Sequence, residues 1–285
     1  MINRLCIVGV GLIGGSLARA LKSAGAVSEV VGYGRDVAQL QLAQELGVID
    51  RFETDIAAAL RGAAVVVVAV PVGAMEGVLR TMAPHLDAAT IVTDVGSTKG
   101  SVVAAAERAF GTVPPRFVPG HPIAGTERSG VAASFAELYH KRRVILTPLP
   151  HTDPAAVTTV RGLWQAAGAE VVEMGVQHHD EVLAATSHLP HVLAYTLVDT
   201  LARMEEHTEI FRYAAGGFRD FTRIASSDPG MWHDICLANR EAILKVLDRY
   251  SADLAAVRRA VECGDGAALL HTFGRAKKAR DDFKQ

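Results

Sequence analysis

Residues 4–20 read R-L-C-I-V-G-V-G-L-I-G-G-S-L-A-R-A, and this stretch decides the fold. The apolar residues 5–8 are long enough for one buried strand, and the end of the stretch favours a helix. Between them the spacing G-x-G-x-x-G falls on Gly9, Gly11 and Gly14, where the glycines permit a tight turn, close approach of a pyrophosphate and close helix–strand packing. Because the helix N-terminus also offers free N–H groups and partial positive charge, we predict a dinucleotide site. The alternative is a glycine-rich turn that binds nothing.

Apolar runs and helical patterns alternate up to residue 174. Further strands are expected at residues 29–33, 63–70, 90–95, 116–119, 144–147 and 170–173, and helices at residues 36–46, 56–60, 76–82, 101–110 and 154–167. The run 63–70 is apolar on both faces, which is typical of parallel strands covered by helices on both sides. The pattern therefore predicts an α/β fold with a Rossmann-like, doubly wound and mostly parallel sheet.

The pattern changes after Met174. Apolar side chains recur at helical spacing in residues 182–204, 235–250 and 254–261, and no convincing strand follows. We therefore predict a dinucleotide-binding domain over residues 1–174 and an all-α C-terminal domain over residues 175–285. Since a few helices alone cover little apolar surface, the second domain is expected to dimerise.

Composition and charge exclude several classes of protein. The 285 residues carry a net charge of −2, which gives no electrostatic reason to expect a nucleic-acid or membrane partner. The apolar runs are too short to cross a bilayer, and the first strand begins so early that a signal peptide has no room. Cys6, Cys236 and Cys263 are scattered without metal or redox spacing, which favours a reducing compartment. We expect a cytoplasmic protein.

Two polar segments follow predicted strands, D-V-G-S-T-K-G at residues 94–100 and G-H-P-I-A-G-T at residues 120–126. Ligands of such sheets bind outside the carboxyl ends of the strands, so Ser97 and His121 are expected on neighbouring loops that face the cofactor crevice. A histidine there can remove a proton while a hydride leaves. The alternative for His121 is a loop histidine that bonds only to backbone.

Other polar clusters admit more than one interpretation. The histidines of residues 178–181 and 187–191 could suggest a metal site, but neither segment has the spacing H-E-x-x-H. We predict no metal and interpret them as polar residues at helix starts or as substrate contacts. In the helical half, Arg219 or Arg223 could bind a carboxylate through paired hydrogen bonds. The alternative is a surface arginine paired with Asp220.

Five motifs in order resemble the prephenate/arogenate (cyclohexadienyl) dehydrogenase family over nearly the whole chain. They are G-V-G-L-I-G-G-S-L at 9–17, V-T-D-V-G-S-T-K-G at 92–100, G-H-P-I-A-G-T-E-R-S-G at 120–130, T-S-H-L-P-H at 186–191 and G-G-F-R-D-F-T-R-I-A-S-S-D-P-G-M-W at 216–232. The resemblance implies oxidative decarboxylation of prephenate or arogenate with hydride transfer to NAD or NADP, giving 4-hydroxyphenylpyruvate or tyrosine. It also implies a homodimer formed through the helical domain.

The resemblance further implies roles for single residues. His121 matches the catalytic histidine that accepts the proton of the substrate's ring hydroxyl, and Ser97 matches the serine that hydrogen-bonds that hydroxyl and orients the histidine. Arg223 matches the arginine that binds a substrate carboxylate, and His191 matches a substrate-site histidine. The remaining substrate-pocket positions are Thr126, Gly216 and Trp232, and the ionic network around the arginine falls on Glu127 and Asp220.

The choice of cofactor depends on residues about 20 positions after the glycine loop, where NAD-binding members carry an acid for the ribose 2′-hydroxyl. Gly34 stands in that place and Arg35 follows it, which favours NADP with the guanidinium on its 2′-phosphate. Asp36 keeps NAD open. The predicted cofactor-binding residues are Gly9, Gly11, Leu12, Ile13, Gly14, Gly34, Arg35, Val70 and Pro71.

Two other functions remain open at this point. One is another two-domain dehydrogenase that acts on 3-hydroxy acids or imines, and the other is a non-catalytic protein that senses NADP. The joint presence of Ser97, His121 and Arg223 in their motifs argues against both, because a sensor needs neither a base nor a carboxylate clamp. No residue distinguishes prephenate from arogenate, which differ in a keto or an amino group.

Overall fold

The computed structural model describes residues 1–205 and 207–283, and its main feature is a six-stranded parallel sheet with the strand order β3-β2-β1-β4-β5-β6. The strands are β1 (Ile2–Val8), β2 (Val27–Tyr33), β3 (Arg51–Glu53), β4 (Val65–Val68), β5 (Ile91–Asp94) and β6 (Phe117–Val118). The order reverses between β1 and β4, and doubly wound folds bind dinucleotides in the crevice at such a point. The predicted α/β fold class is therefore confirmed.

Helices pack on both faces of this sheet. They are α1 (Leu12–Ser23), α2 (Val37–Glu45), α3 (Ile56–Leu60), α4 (Met75–Met82), α5 (Gly100–Phe110) and α6 (Pro154–Ala166). Alternate residues of β1 belong to two separate apolar cores, with Leu5 in one and Cys6 in the other. Because successive side chains of a strand point to opposite faces, each face of the sheet is buried by its own layer of helices. Asp55 caps α3 by accepting the N–H of Ala58, as its position before the helix predicts.

A second sheet has the order β7-β8-β9, formed by β7 (Gly120–Pro122), β8 (Arg143–Leu146) and β9 (Glu170–Glu173). The expectation that His121 lies on a loop was wrong, because β7 pairs antiparallel with β8 and His121 is its central residue. Glycine and proline flank the histidine on this strand, which is why the segment resembles a loop in the sequence. The short strand β3 was also not anticipated.

After β9 the described residues form helices joined by short turns, and they contain no further strand. The helices are α7 (Val176–Leu183), α8 (Leu189–Ala202), α9 (His207–Arg212), α10 (Gly216–Thr222), α11 (Pro229–Ala238), α12 (Arg240–Glu262) and α13 (Gly266–Asp282). The helix expected over residues 182–204 is present up to Ala202, but a π-helical turn at Ala184–His188 separates α7 from α8 within it. Pro190 lacks an N–H and cannot continue the regular hydrogen-bond ladder there. The expected helix over residues 235–250 is likewise divided, at Asn239.

The chain divides into two compact units, residues 1–240 and the residues from Glu241 onward. The second unit contains most of α12 and all of α13, joined by a turn in which Gly264 has a φ of +66° and Asp265 caps α13 through the N–H of Ala268. The change from strands to helices falls between Glu173 and Val176, and the predicted domain boundary at residue 174 stays a prediction. Within the described residues, no helix has the length and apolarity needed to cross a lipid bilayer.

Candidate functional site

The glycine loop joins β1 to α1 at the crevice. Gly9 has a φ of +97°, and a Cβ added to it would lie 2.4 Å from the carbonyl oxygen of Ala69. A Cβ on Gly14 would lie 2.4 Å from the carbonyl oxygen of Gly9, so helix and strand are in close contact there. A Cβ on Gly11 would meet nothing within 4 Å, which leaves that backbone open to a ligand. The three positions therefore fit the turn, packing and pyrophosphate roles of a dinucleotide loop.

A cavity of about 830 Å³ opens beside this loop. The predicted cofactor residues that line it are Gly9, Gly11, Gly34, Arg35, Val70 and Pro71. Leu12, Ile13 and Gly14 lie at the start of α1 and do not line the cavity, so their predicted contact with the cofactor stays a prediction. Gln39, Thr81 and Gly130 also line it and were not singled out from the sequence.

The end of β2 forms the part of the cavity that the adenosine ribose would occupy. Asp36 caps α2, with its Oδ1 accepting the N–H of Gln39 at 3.1 Å. Arg35 is exposed, and its side chain forms no ion pair with any described residue. A Cβ on Gly34 would lie 3.6 Å from the nearest atom of Leu40, so a side chain has room there. Asp36 therefore serves as the N-cap of α2, while the neighbouring Arg35 side chain is exposed to solvent.

A buried ion pair holds the loop after β5 against β7. Lys99 and Asp94 are both fully buried, and Lys99 Nζ lies 2.5 Å from Asp94 Oδ2 and 2.5 Å from the carbonyl oxygen of Gly120. The Asp94 carboxylate also accepts the backbone N–H groups of Gly96 at 2.7 Å and Gly120 at 3.1 Å. Burial lowers the pKa of Lys99, and the adjacent Asp94 carboxylate opposes that effect. The pair therefore joins the segment that carries Ser97 to the strand that carries His121.

His121 is 8% exposed and is bonded through its Nδ1, which lies 2.9 Å from Nε2 of His179. His179 Nδ1 in turn lies 2.8 Å from Oδ1 of Asp180. Asp180 also accepts the backbone N–H groups of Lys99 and Gly100, each at 2.8 Å, at the start of α5. Burial lowers the pKa of His121 well below its usual value, and the Lys99 ammonium lowers it further. The ring is therefore neutral near pH 7.

Ser97 lies on the loop after β5 and is half-buried. Among the described residues it forms no hydrogen bond with His121, and the side chain that contacts the histidine ring is His179. The hydrogen bond that the His121 ring makes in this structure is to His179, and the orienting role that the family resemblance implies for Ser97 stays a prediction. A role for Ser97 toward the substrate hydroxyl stays a prediction.

The π-helical turn places two histidines beside Trp232. The ring of His191 stacks on the Trp232 ring with centroids 3.6 Å apart and planes 20° apart, and its Nδ1 donates to the carbonyl oxygen of Ser187 at 2.9 Å. Burial lowers the pKa of His191. Trp232 is 8% exposed and therefore packs in the core, in contact with the His191 ring. Turns of this kind occur frequently at functional sites.

The other histidine, His188, is buried and accepts the Nδ2–H of Asn239 on its Nδ1 at 3.1 Å. Asn239 also donates to the carbonyl oxygen of Asp180 at 2.8 Å. Burial lowers the pKa of His188 to about 4. Asn239, which lies between α11 and α12, therefore hydrogen-bonds both the His188 side chain and the backbone of Asp180, the residue after His179.

Arg223 is exposed, and its guanidinium lies 3.8 Å from the carboxylate of Glu127, one of the two partners that the family resemblance implies. After burial, the Arg223 charge is a further cause of the lowered pKa of His191, so the two side chains are near each other. Arg219 and Asp220 are exposed on α10, and neither side chain forms an ion pair with a described residue. The structure therefore brings Arg223 to the histidine side of the site and leaves Arg219 outside that cluster.

Two further predicted pocket residues lie at exposed positions. Thr126 is in the loop after β7, where its Oγ1 accepts the N–H of Arg128 at 3.2 Å. Gly216 is the first residue of α10, and a Cβ there would meet nothing within 4 Å. Within the described part of the chain, no group of three His, Cys, Asp or Glu side chains could hold a metal ion.

Sequence reasoning missed the polar residues behind His121. His179 and Asp180 are adjacent in the chain and were noticed only as part of a histidine cluster. Lys99 and Asp94 were noticed only as members of a strand-end motif. For Lys99 and Asp94 the available signal is the presence of ionisable residues inside an otherwise apolar or glycine-rich segment, since such residues are buried only with partners. His179 and Asp180 lie in a polar run and carry no such signal.

Two family models and several known proteins match this chain. The family model described as the nucleotide-binding domain of prephenate dehydrogenase matches residues 17–173, and the model described as its dimerization domain matches residues 176–275. The cyclohexadienyl dehydrogenase of Zymomonas mobilis is 42% identical over 98% of this chain and 95% of its own length. The prephenate dehydrogenase of Bacillus subtilis is 39% identical over 99% of this chain and 76% of its own length.

A solved structure is also similar along its whole length. Prephenate dehydrogenase from A. aeolicus, in complex with hydroxyphenyl propionate and NAD⁺, superposes with a TM-score of 0.92 at 37% identity. The match covers 100% of this chain and 99% of that chain. The crevice, the two sheets and the helical part are therefore shared over the full length.

Proposed function

Because the chain belongs to the prephenate dehydrogenase family, we propose a role for each group of its active site. The reaction is the oxidative decarboxylation of a cyclohexadienyl acid in tyrosine biosynthesis, with hydride transfer to a nicotinamide cofactor. One observation carries the proposal. His121 is buried and neutral, its Nδ1 is bonded to His179, and its Nε2 has no hydrogen-bond partner among the described residues.

We assign the proton of the substrate's ring hydroxyl to Nε2 of His121. The hydroxyl must lose this proton as its carbon gives up hydride, and a neutral imidazole can accept it near pH 7. When bound, the nicotinamide supplies the hydride acceptor. Ser97, on the loop that Asp94 holds, hydrogen-bonds the same hydroxyl. Loss of the ring carboxylate as carbon dioxide leaves an aromatic product, so no nucleophile or metal is needed to drive the step.

For the cofactor we propose NADP in preference to NAD. Gly11 and the start of α1 hold the pyrophosphate, and Val70 and Pro71 border the nicotinamide half of the cavity. The support for NADP is that Asp36 is engaged as a helix cap while Arg35 is exposed and has no ion-pair partner among the described residues. An unpaired guanidinium suits a 2′-phosphate, because its planar fork donates two N–H groups to two phosphate oxygens.

For the substrate we propose that Arg223 binds a carboxylate at the edge of the site formed by His191 and Trp232. Arg223 is held loosely by Glu127 at 3.8 Å and can turn to a stronger acceptor. The stacked rings of His191 and Trp232 offer a flat apolar wall for the six-membered ring of the substrate. Thr126 and Gly216 border the open side of the same pocket.

We propose a homodimer formed through residues 175–285. Helix α8 is apolar over most of its length, yet only Leu189 and Ala194 are buried in it. In the second unit, Leu254, Val261 and Leu270 are more than half exposed, and such a surface is typical of an interface. A cytoplasmic location is proposed on separate grounds, since none of the three cysteines forms a disulfide.

The test of the proposed function is an assay of four combinations, prephenate or arogenate with NADP or NAD, in which absorbance of the reduced cofactor is followed. We expect turnover with at least one of the two acids and a higher kcat/KM with NADP. Reduction of the cofactor with a 3-hydroxy acid, but with neither prephenate nor arogenate, would instead support a dehydrogenase that acts on 3-hydroxy acids. Tight NADP binding without turnover of any acid would support a sensor.

A further inference from the structure

We propose that His179 and Asp180 are positioning residues that make Nε2 of His121 the proton acceptor, through a chain of hydrogen bonds that ends at the N-terminus of α5. This inference rests on the role proposed above for His121. The three side chains form one continuous chain, with His121 Nδ1 2.9 Å from His179 Nε2 and His179 Nδ1 2.8 Å from Asp180 Oδ1.

The carboxylate decides the direction of every hydrogen bond in this chain. An ionised Asp180 can only accept, so Nδ1 of His179 must carry the proton between them. Nε2 of a neutral His179 then has a lone pair and accepts the Nδ1–H of His121. That leaves the lone pair of His121 on Nε2, the nitrogen without a partner among the described residues. The same logic orients a catalytic imidazole in enzymes whose histidine is bonded to a carboxylate directly.

Asp180 is built to remain ionised. Burial alone would raise the pKa of Asp180, but hydrogen bonds from His179 and from the backbone N–H groups of Lys99 and Gly100 outweigh it and lower that pKa. Lys99 and Gly100 precede and begin α5, where the helix dipole also favours a negative charge. The carboxylate is therefore a fixed anion at the end of the chain.

The groups that surround the His121 ring do not stabilise its protonated form, so that form depends on the Asp180 carboxylate. Lys99, His179 and His188 are the charged or titratable groups that act on the His121 ring, and all of them disfavour its protonated form, in addition to burial. Asp94 neutralises the Lys99 ammonium, with which it forms an ion pair. Among the described residues, Asp180 is the carboxylate that is linked to His121 through His179, and it can serve as the counter-charge of an imidazolium formed at His121 during the reaction. The chain thus stabilises the charge that appears when the proton is accepted.

The chain also contains a matched control. His233 and Asp234 have the same order on α11, with His233 Nδ1 3.0 Å from Asp234 Oδ1. Asp234 accepts the backbone N–H of Gly73 at 3.1 Å, much as Asp180 accepts those of α5. His233 is exposed and makes no contact with His121. Replacing Asp234 therefore removes a backbone-binding carboxylate next to a histidine without touching the hydrogen-bond chain.

The experiment compares Asp180→Asn and His179→Gln with Asp234→Asn in the full-length protein, measuring kcat, KM and the pH profile of kcat/KM. We expect Asp180→Asn and His179→Gln to lower kcat by roughly 10- to 1000-fold, which is less than the roughly 10²- to 10⁴-fold that the acid–base group itself contributes, while KM changes by less than about threefold. Activity requires the neutral base and rises with pH through its pKa. Because loss of the anion makes protonation of His121 harder, the acid limb should move to lower pH. Asp180→Glu should recover part of kcat, and Asp234→Asn should leave the acid limb where wild type has it.

The outcomes separate this inference from the role of His121 itself. An inactive His121→Asn together with an Asp180→Asn that keeps wild-type kcat and acid limb would overturn the inference alone. A fall in kcat with a rise in KM, no movement of the acid limb and no rescue by Asp180→Glu would show a merely structural aspartate and also overturn it. Near-normal turnover in His121→Asn would overturn the proposed function first.

Discussion

The ammonium of Lys99 lies 2.5 Å from the carboxylate of Asp94, and neither side chain is exposed to solvent. The same carboxylate accepts the backbone N–H groups of Gly96 and Gly120. One buried pair thus connects the loop after β5 to the strand that carries His121. Burying two charges has a large desolvation cost, so the pair is better understood as a device that sets the geometry than as a source of net stability.

Asp94→Asn should lower the free energy of unfolding by about 3–5 kcal/mol, because it leaves the Lys99 ammonium buried without a counter-charge. Denaturant unfolding measures this loss. The control is Glu76→Gln, which breaks a pair with Arg80 and Arg108 at the surface and should have a much smaller effect. Equal losses of unfolding free energy in Asp94→Asn and Glu76→Gln would show that the fold depends no more on the buried pair than on the surface pair.

Arg35→Ala should weaken NADP binding by about 10-fold or more and leave NAD binding nearly unchanged, since only NADP carries the phosphate that a guanidinium would bind. Gly34→Asp should shift the preference toward NAD, because a Cβ there has 3.6 Å to its nearest neighbour and the acid could reach the ribose hydroxyls. Titration of each cofactor into each variant gives the dissociation constants. Wild-type preference for NAD, or an equal loss for both cofactors in Arg35→Ala, contradicts the proposal.

Arg223→Ala should raise KM for the substrate by about 10- to 150-fold with a smaller fall in kcat, since a charged hydrogen-bond partner is worth about 1.5–3 kcal/mol. Arg223→Lys should recover only part, because an ammonium lacks the planar fork. Arg219→Ala is the matched control, four residues earlier on α10 and outside the cluster around His191. If Arg219→Ala raises KM and Arg223→Ala does not, the clamp has been assigned to the wrong arginine.

Sedimentation at micromolar concentration should show a dimer. Leu254 is 53% exposed on α12 and Leu270 is 75% exposed on α13, and a partner subunit would cover such side chains. Leu254→Glu combined with Leu270→Glu should therefore shift the protein toward monomer without unfolding it. A wild-type monomer at that concentration refutes the proposed assembly.

The dinucleotide-binding part could be predicted because its signals are local. The tight turn at Gly9 and the close packing at Gly14 are predicted by three glycines at fixed spacing. In the structure, a Cβ added to either glycine would lie 2.4 Å from a backbone carbonyl oxygen. The cap at Asp55 likewise depends on a side chain and a backbone group three residues apart. Interactions between residues so close in the chain can be predicted from the sequence alone.

The arrangement behind His121 could not be predicted, because it depends on tertiary contacts. His121 and His179 are separated by 58 positions, and β7 is a strand only because β8 pairs with it. The division of residues 182–204 by a π-helical turn was hidden for a related reason, since apolar spacing alone does not distinguish a continuous helix from one with a wide turn. Sequence motifs therefore predict His121 as the proton acceptor but do not predict the side chains that are hydrogen-bonded to it.

If His121 accepts the proton of the substrate hydroxyl, His121→Asn must lose turnover, which is measured together with cofactor binding on the same preparation. The amide keeps a polar side chain of similar size at the centre of β7 but cannot take a proton. We expect a kcat roughly 10²- to 10⁴-fold below wild type with an unchanged dissociation constant for NADP. Near-normal turnover with intact cofactor binding would contradict it.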